Sequence, residues 1–356
     1  MKKFILLVIS FLVVISGILY FKSGKEILTL LDEKKVYSIE NFQTTKLESL
    51  DEYEFFNNGI VTYNNQKIVF LDYKSNVIWE NQDKSFSKQV FITDKYIFRN
   101  TESTVQVLDK NNQVFIIGEI EGNILNVSRE NDKTYMIIKN VDGRDSLYVM
   151  NDKNEMAVDN KFFEDNITGV SISDKSEGYA IVTLKFESGK IINTVHFNLL
   201  DDVELWNFPI EDEILVTVKI VNNNVVAIGT ENVYYFNLNG KLLWKNGVYS
   251  KILDYYIDKE NDKIYMLYNK DGALELMAYN FEGKVLAVNK VGTNTQKLKV
   301  YGNKVFVYNE NSIYLIHGAR ADKIYEDTES TISDFMVEGS DIRILSKDKL
   351  VTGKLK

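Results

Sequence analysis

The chain has 356 residues, 45% of them hydrophobic, with one proline and no cysteine; 42 basic against 51 acidic residues give a formal charge of −9. That length carries one large core or several small ones. The missing cysteine excludes disulfides, thiolate metal sites, a cysteine nucleophile and a lipid-modified N-terminal cysteine. An acidic balance also disfavours nucleic acid and anionic polymers as partners, since like charge repels them.

Residues 4–21 form an unbroken uncharged run, with Lys2 and Lys3 before it and Lys22 and Lys25 after it. Eighteen helical residues span roughly 27 Å, about the thickness of a bilayer's hydrocarbon core. We expect a transmembrane anchor at 4–21, a cytoplasmic tip at 1–3, a stalk at 22–35 and an external body at 36–356. A cleaved signal peptide is the competing reading. Its apolar stretch is typically about 7–15 residues and ends in an A-x-A-like site; this run is longer and no Ala-x-Ala follows. Ile27, Leu28, Leu30 and Leu31 make 26–34 a further helical turn that would continue the membrane helix outward. Beyond residue 25 the body keeps 38 basic and 51 acidic residues, a net charge of −13.

From there on the pattern is short strands and polar turns, with β-branched and aromatic runs of period two. Eight apolar runs of one kind line up: 60–63, 96–99, 135–139, 179–184, 225–229, 264–268, 305–308 and 342–345. Val61, Phe98, Met136, Ile181, Ala227, Met266, Phe306 and Arg343 serve as equivalent points, 37 to 46 residues apart. That is near the roughly 40–45 residues of a four-stranded propeller blade. Each run is preceded by one strand and followed by another. Seven of the units continue, after a tight turn, into a fourth strand. The clearest such turn is Asn239-Gly240-Lys241-Leu242-Leu243-Trp244. Lys74-Ser75-Asn76-Val77-Ile78-Trp79, Asp201-Asp202-Val203-Glu204-Leu205-Trp206 and Glu282-Gly283-Lys284-Val285-Leu286-Ala287 are weaker copies, the last without its tryptophan.

The eighth unit ends at Lys356 without a fourth strand. Residues 34–40 resemble the stretch around Ile324, so we expect this N-terminal segment to complete the last blade and leave no sheet edge open there. The expected fold is all-β: an eight-bladed β-propeller behind one N-terminal transmembrane helix. A seven-bladed ring is the alternative, because the third and fourth units are long, and a pair of β-sandwiches comes third.

The Gly240–Trp244 unit resembles the quinoprotein-type propeller repeat. The whole layout resembles a family of uncharacterised membrane-anchored propellers from clostridia and their relatives. In architecture it also resembles the propeller lipoprotein that helps assemble outer-membrane proteins. The resemblance implies a scaffold or binding role. Quinoprotein dehydrogenases use a vicinal cysteine pair, which this chain lacks.

The sequence offers little chemistry. His196 and His317 are the only histidines, 121 residues apart, and no metal-ligand spacing includes them. Asn140-Val141-Asp142-Gly143-Arg144-Asp145 and Asn269-Lys270-Asp271-Gly272 read as hairpin turns rather than calcium loops. No G-x-S-x-G, P-loop or dinucleotide fingerprint occurs. Paired carboxylates such as Asp201-Asp202 and Glu211-Asp212-Glu213 could serve a glycosidase, but they sit beside turn or linker positions, so solvated loops are the preferred reading. Arg99 and Arg343 interrupt apolar strands and are read as lying on their polar side, with a channel lining or a buried acid as the other reading. The equivalence of the three tryptophans points to packing between blades. We therefore assign no catalytic, cofactor-binding or metal residue and no cofactor. The expected function is a non-enzymatic binding or scaffold module for an envelope protein or polymer, held outside the cell membrane of a Gram-positive bacterium. A carboxylate-dependent envelope polysaccharide hydrolase or lyase is the alternative. A ligand sensor comes last, since three cytoplasmic residues cannot carry an output domain.

Overall fold

Among the described residues, thirty-two strands fold into eight antiparallel four-stranded sheets, the blades of an eight-bladed β-propeller. The computed structural model describes residues 36–47, 51–64, 66–82, 89–100, 104–119, 122–153, 155–174, 178–201, 203–247, 251–291, 294–318 and 320–356. The expected tip, anchor, stalk and helical turn at 26–34 lie outside the described residues.

Blades 1 to 7 are continuous in sequence, at 52–82, 90–119, 122–163, 166–211, 215–247, 251–290 and 297–326. Strands within a blade, lettered a to d, follow one another from the channel outward. The a strands of neighbouring blades touch, as Asn166–Ile172 touches Leu215–Val221, which places them around the axis. The d strands lie at the rim and are largely exposed. Pro209 sits on one of these edge strands, where a missing N–H interrupts no inner ladder.

Blade 8 is closed by both ends of the chain. Its a, b and c strands are Ile332–Glu338, Asp341–Ser346 and Lys349–Leu355, and its d strand is Ile39–Lys46. Ile39 pairs with Leu355 and Lys46 with Lys349. The N-terminal segment takes the expected place, but the strand begins at Ile39 and runs to Lys46. Val36 is 70% exposed and lies before it. The resemblance of 34–40 to the stretch around Ile324 marked only the onset of the strand. The remainder, Asn41 to Lys46, is polar apart from the half-exposed Phe42, as an exposed edge is, and gave no alternating hydrophobic signal.

Among the described residues, eight clusters of buried side chains fill the eight seams, one between each pair of neighbouring blades. Phe56, Val61, Ile68 and Phe70 of blade 1 meet Ile97 and Leu108 of blade 2 in one of them. Period-two alternation sends successive side chains to opposite faces. In an inner strand both faces meet a neighbouring blade, so runs such as Ile264–Tyr268 in the b strand of blade 6 are buried throughout.

Candidate functional site

The repeated turn organises the rim. Asp72, Asp109, Asn151, Asn237 and Asn280 each open a c–d turn with an Asx side chain. Asn237 Oδ1 accepts from the Asn239 and Lys241 amides at 3.0 Å. Asp72 Oδ1 accepts from Lys74 and Asn76 at 2.8 Å. The fourth turn position has positive φ: Ser75 at 67°, Asn112 at 61°, Gly240 at 79° and Gly283 at 80°. Only glycine takes that conformation without strain, with Asn the usual second choice.

Four residues further on stands the tryptophan, and it locks onto the next blade. Trp79 Nε1 donates to the Lys110 carbonyl at 2.9 Å, Trp206 Nε1 to Leu238 at 2.8 Å, and Trp244 Nε1 to Phe281 at 2.8 Å. Each acceptor lies in the following blade's c–d turn. Two of these rings cover the turn glycine: a Cβ on Gly240 would sit 2.8 Å from Trp206, and one on Gly283 2.8 Å from Trp244. The expected packing role of the tryptophans is what the geometry displays. A companion latch lies two residues beyond the tryptophan position. Asn81 Nδ2 donates to Asn112 at 2.8 Å, Asn246 Nδ2 to the Gly283 carbonyl at 2.6 Å, and Asn289 Nδ2 to the Gly318 carbonyl. The Trp-x-Asn spacing is present at 79–81 and 244–246 but not after Trp206, so the repeat by itself does not mark this contact.

The channel holds the ionisable cluster. At the mouth formed by the a–b turns, Glu130 of blade 3 reaches under three other blades. Its carboxylate accepts from Lys259 Nζ at 2.8 Å, Lys219 Nζ at 3.3 Å, Ser171 Oγ at 2.9 Å and the Ile172 amide at 3.2 Å. Burial pushes the Glu130 carboxyl up, but the two lysines and the hydrogen bonds outweigh it and hold it below the usual range. A cavity of about 570 Å³ opens beside it, with Tyr255, Tyr256 and Tyr301 on its walls. At the other mouth a cavity of about 840 Å³ lies between blades 6 and 7, with Asp254, Thr295 and Lys297 in its lining.

Between the mouths the a strands carry Glu54, Asp254, Lys299 and Asp334. Burial raises the Glu54 carboxyl, the Tyr63 hydroxyl at 3.0 Å opposes that, and Asp334 adds to the rise. Burial also raises Asp254, against the amides of Leu298 and Tyr255, which donate to it at 2.7 and 2.9 Å. Lys299 pairs with Asp334. Sequence reasoning missed Glu54, Glu130, Asp254 and Asp334, because each lies in or beside an ordinary strand and only the ring brings them to one axis.

The residues weighed from the sequence sit elsewhere. Glu213 departs from the solvated-loop reading: it is buried between blades and holds the b–c turn of blade 5, accepting from the amides of Glu231 and Asn232 and from the Tyr234 hydroxyl at 2.6 to 2.8 Å. Asp201 ends in a turn, and Asp202 lies outside the described residues. His196 bridges Glu204 at 2.8 Å and Thr183 at 3.1 Å within one sheet, and His317 packs against Tyr37. Gly143 and Gly272, at φ 86° and 85°, close hairpins as expected. Arg99 departs from its preferred reading. It is 3% exposed and bonds Asn81 of blade 1 at 3.1 Å and Gln106 of its own blade, because the guanidinium spans the seam. Arg343 lies 4.4 Å over the Tyr73 ring and pairs with Glu338 at 3.3 Å. Among the described residues, no group of three or more His, Cys, Asp or Glu is placed to hold a metal ion.

Residues 31–355 match a family described as a family of unknown function, DUF5711. The chain belongs to that family. Among curated proteins, no sequence matches it. Solved structures do. BamB from Moraxella catarrhalis is similar at 13% identity and a TM-score of 0.57, over 90% of this chain and 100% of that one. A chain of the mitotic checkpoint complex is similar at 10% identity and a TM-score of 0.51, over 76% of this chain and 88% of that one. At such identities the likeness shows the propeller fold.

Proposed function

We propose that the chain is an extracytoplasmic propeller, held at the cell membrane by residues 4–21 and acting as a non-enzymatic binding or scaffold module for an envelope protein or polymer. The rim carries the reading. Ile78, Leu205, Leu243 and Leu286 occupy equivalent d-strand positions and are 52%, 51%, 47% and 47% exposed. Exposed apolar positions repeated around a ring suit docking of a partner. The tryptophan and asparagine latches keep that rim rigid, so little order has to be created on binding. The similarity to a chain of a multiprotein complex agrees with this use of the fold. Photo-crosslinkers at Ile78 and Leu243 in membrane-embedded protein should trap one defined partner at the rim. Turnover of an envelope polysaccharide with no trapped partner would refute the proposal.

A second reading, a carboxylate-dependent hydrolase or lyase, draws on Glu54 and Asp254. Both are carboxyls raised by burial on a strands of different blades, as a general acid requires. Glu130 does not serve it, since four donors hold it ionised. Turnover of a polymer library that is lost in both Glu54→Gln and Asp254→Asn would establish it.

A further inference from the structure

The d strand of blade 6, Val285–Lys290, lacks a safeguard that the d strands of blades 1, 4 and 5 carry; the d strand of blade 2, Val114–Glu119, also exposes Val114 and Ile116, but its flanks Gln113 and Glu119 carry no positive charge. One residue past the tryptophan position stand Glu80 in blade 1, Asn207 in blade 4 and Lys245 in blade 5. Polar or charged residues at such edges hinder pairing with another chain. In blade 6 that position is Val288. The tryptophan itself is Ala287, so no ring from that position enters the next seam, which this strand reaches through Asn289. Val285, Leu286 and Val288 are 46%, 47% and 49% exposed, and Ala287 is exposed too. Among the described residues no strand pairs with its outer edge. Lys284 and Lys290 bracket the apolar run.

We propose that this edge is a strand-addition site for an extended apolar segment of a partner protein with acidic residues at its ends. Main-chain hydrogen bonds to the free edge would supply affinity, and the alternate side chains specificity. The lysines select the ends. A second copy of this chain fits poorly: antiparallel self-pairing centred on Ala287 places Lys284 opposite Lys290 twice, and like charges directly opposite destabilise a pair. This inference rests on the binding-module reading and names its partner class.

The test uses the full chain in detergent micelles and the synthetic peptide Asp-Glu-Val-Thr-Leu-Thr-Val-Glu-Asp, with a lysine-ended version as control. The acid-ended peptide should bind at least about tenfold more tightly and should slow amide exchange within 285–290. Val288→Lys, which restores the residue type of blade 5, should weaken it at least about tenfold, as should Leu286→Lys. Unchanged unfolding curves would show that both variants fold. Equal binding of the two peptides, no binding, protection at another rim strand, or indifference to both substitutions would overturn the proposal. So would a dimer of the full chain that Val288→Lys abolishes. The binding-module reading would survive those results if a crosslinked partner is still trapped at the rim. Polymer turnover would remove that reading whatever the peptide does.

Discussion

Replacing Gly283 and Trp244 singly and together measures how the blades are held. Gly283 has φ +80°, and an alanine Cβ there would lie 2.8 Å from Trp244 Cδ2 and 3.1 Å from Cε2. The left-handed backbone costs alanine about 1–2 kcal/mol. The clash with a ring wedged on the turn adds about 1–3 kcal/mol. Gly283→Ala should therefore destabilise by about 2–5 kcal/mol. Trp244 is half-buried, stacks on Tyr235 at 5.1 Å and donates to the Phe281 carbonyl. Burying a full tryptophan is worth about 3–5 kcal/mol relative to alanine, so about 2–3 kcal/mol is the expectation for Trp244→Ala. In the double variant the clash is gone and only the backbone penalty remains. The two changes should then sum to about 1–3 kcal/mol less than additive. Urea unfolding of all four chains, followed by tryptophan-independent circular dichroism, gives the coupling. Additivity within about 0.5 kcal/mol would refute the latch, since contacting residues couple and distant ones do not.

Three further outcomes are expected. Glu130→Ala leaves Lys219 and Lys259, about two-thirds buried, without their carboxylate; it should destabilise by about 1–3 kcal/mol, below the full penalty for a broken buried pair because the lysines reach solvent. The Glu130 carboxyl is lowered on folding, so its contribution is present above the unfolded carboxylate pKa and is lost as pH falls through the folded value. The gap between wild type and Glu130→Ala in urea should therefore close at acid pH. Glu54 runs the other way: its carboxyl is raised, so its stabilising effect is complete below the unfolded value and lost as pH rises through the folded one. Glu54→Gln should be more stable than wild type at neutral pH and lose that advantage below about pH 4, near the reference range; equal stability at both would count against the buried carboxylate. A chain beginning at residue 47 loses the strand paired with Lys349–Leu355. It should melt at lower temperature and self-associate on size exclusion, whereas an unchanged monomer would show that closure does not need this strand.

The blades were legible because a blade is a local object. In blades 1 to 7 its four strands are consecutive, and turn chemistry such as Asn237 to Gly240 is fixed by φ and by short-range hydrogen bonds. The equivalence of Trp79, Trp206 and Trp244 likewise carried their packing role, since a residue tied to the repeat serves the contact between repeats. Arg99 misled because periodicity gives the face of a strand, not what covers it.

The sequence by itself determined the unit, its number and the use of an N-terminal strand to finish the last one. Local hydrogen bonding and alternation of side chains suffice for that. Ring closure decided the rest. It brought Glu130 under Lys219 and Lys259, from 89 and 129 residues away, and set Glu54, Asp254 and Asp334 around one axis. It also left the Val285–Lys290 edge open to solvent. Charges on separate blades interact through space, and no spacing along the chain records a distance that exists only once the ring has closed.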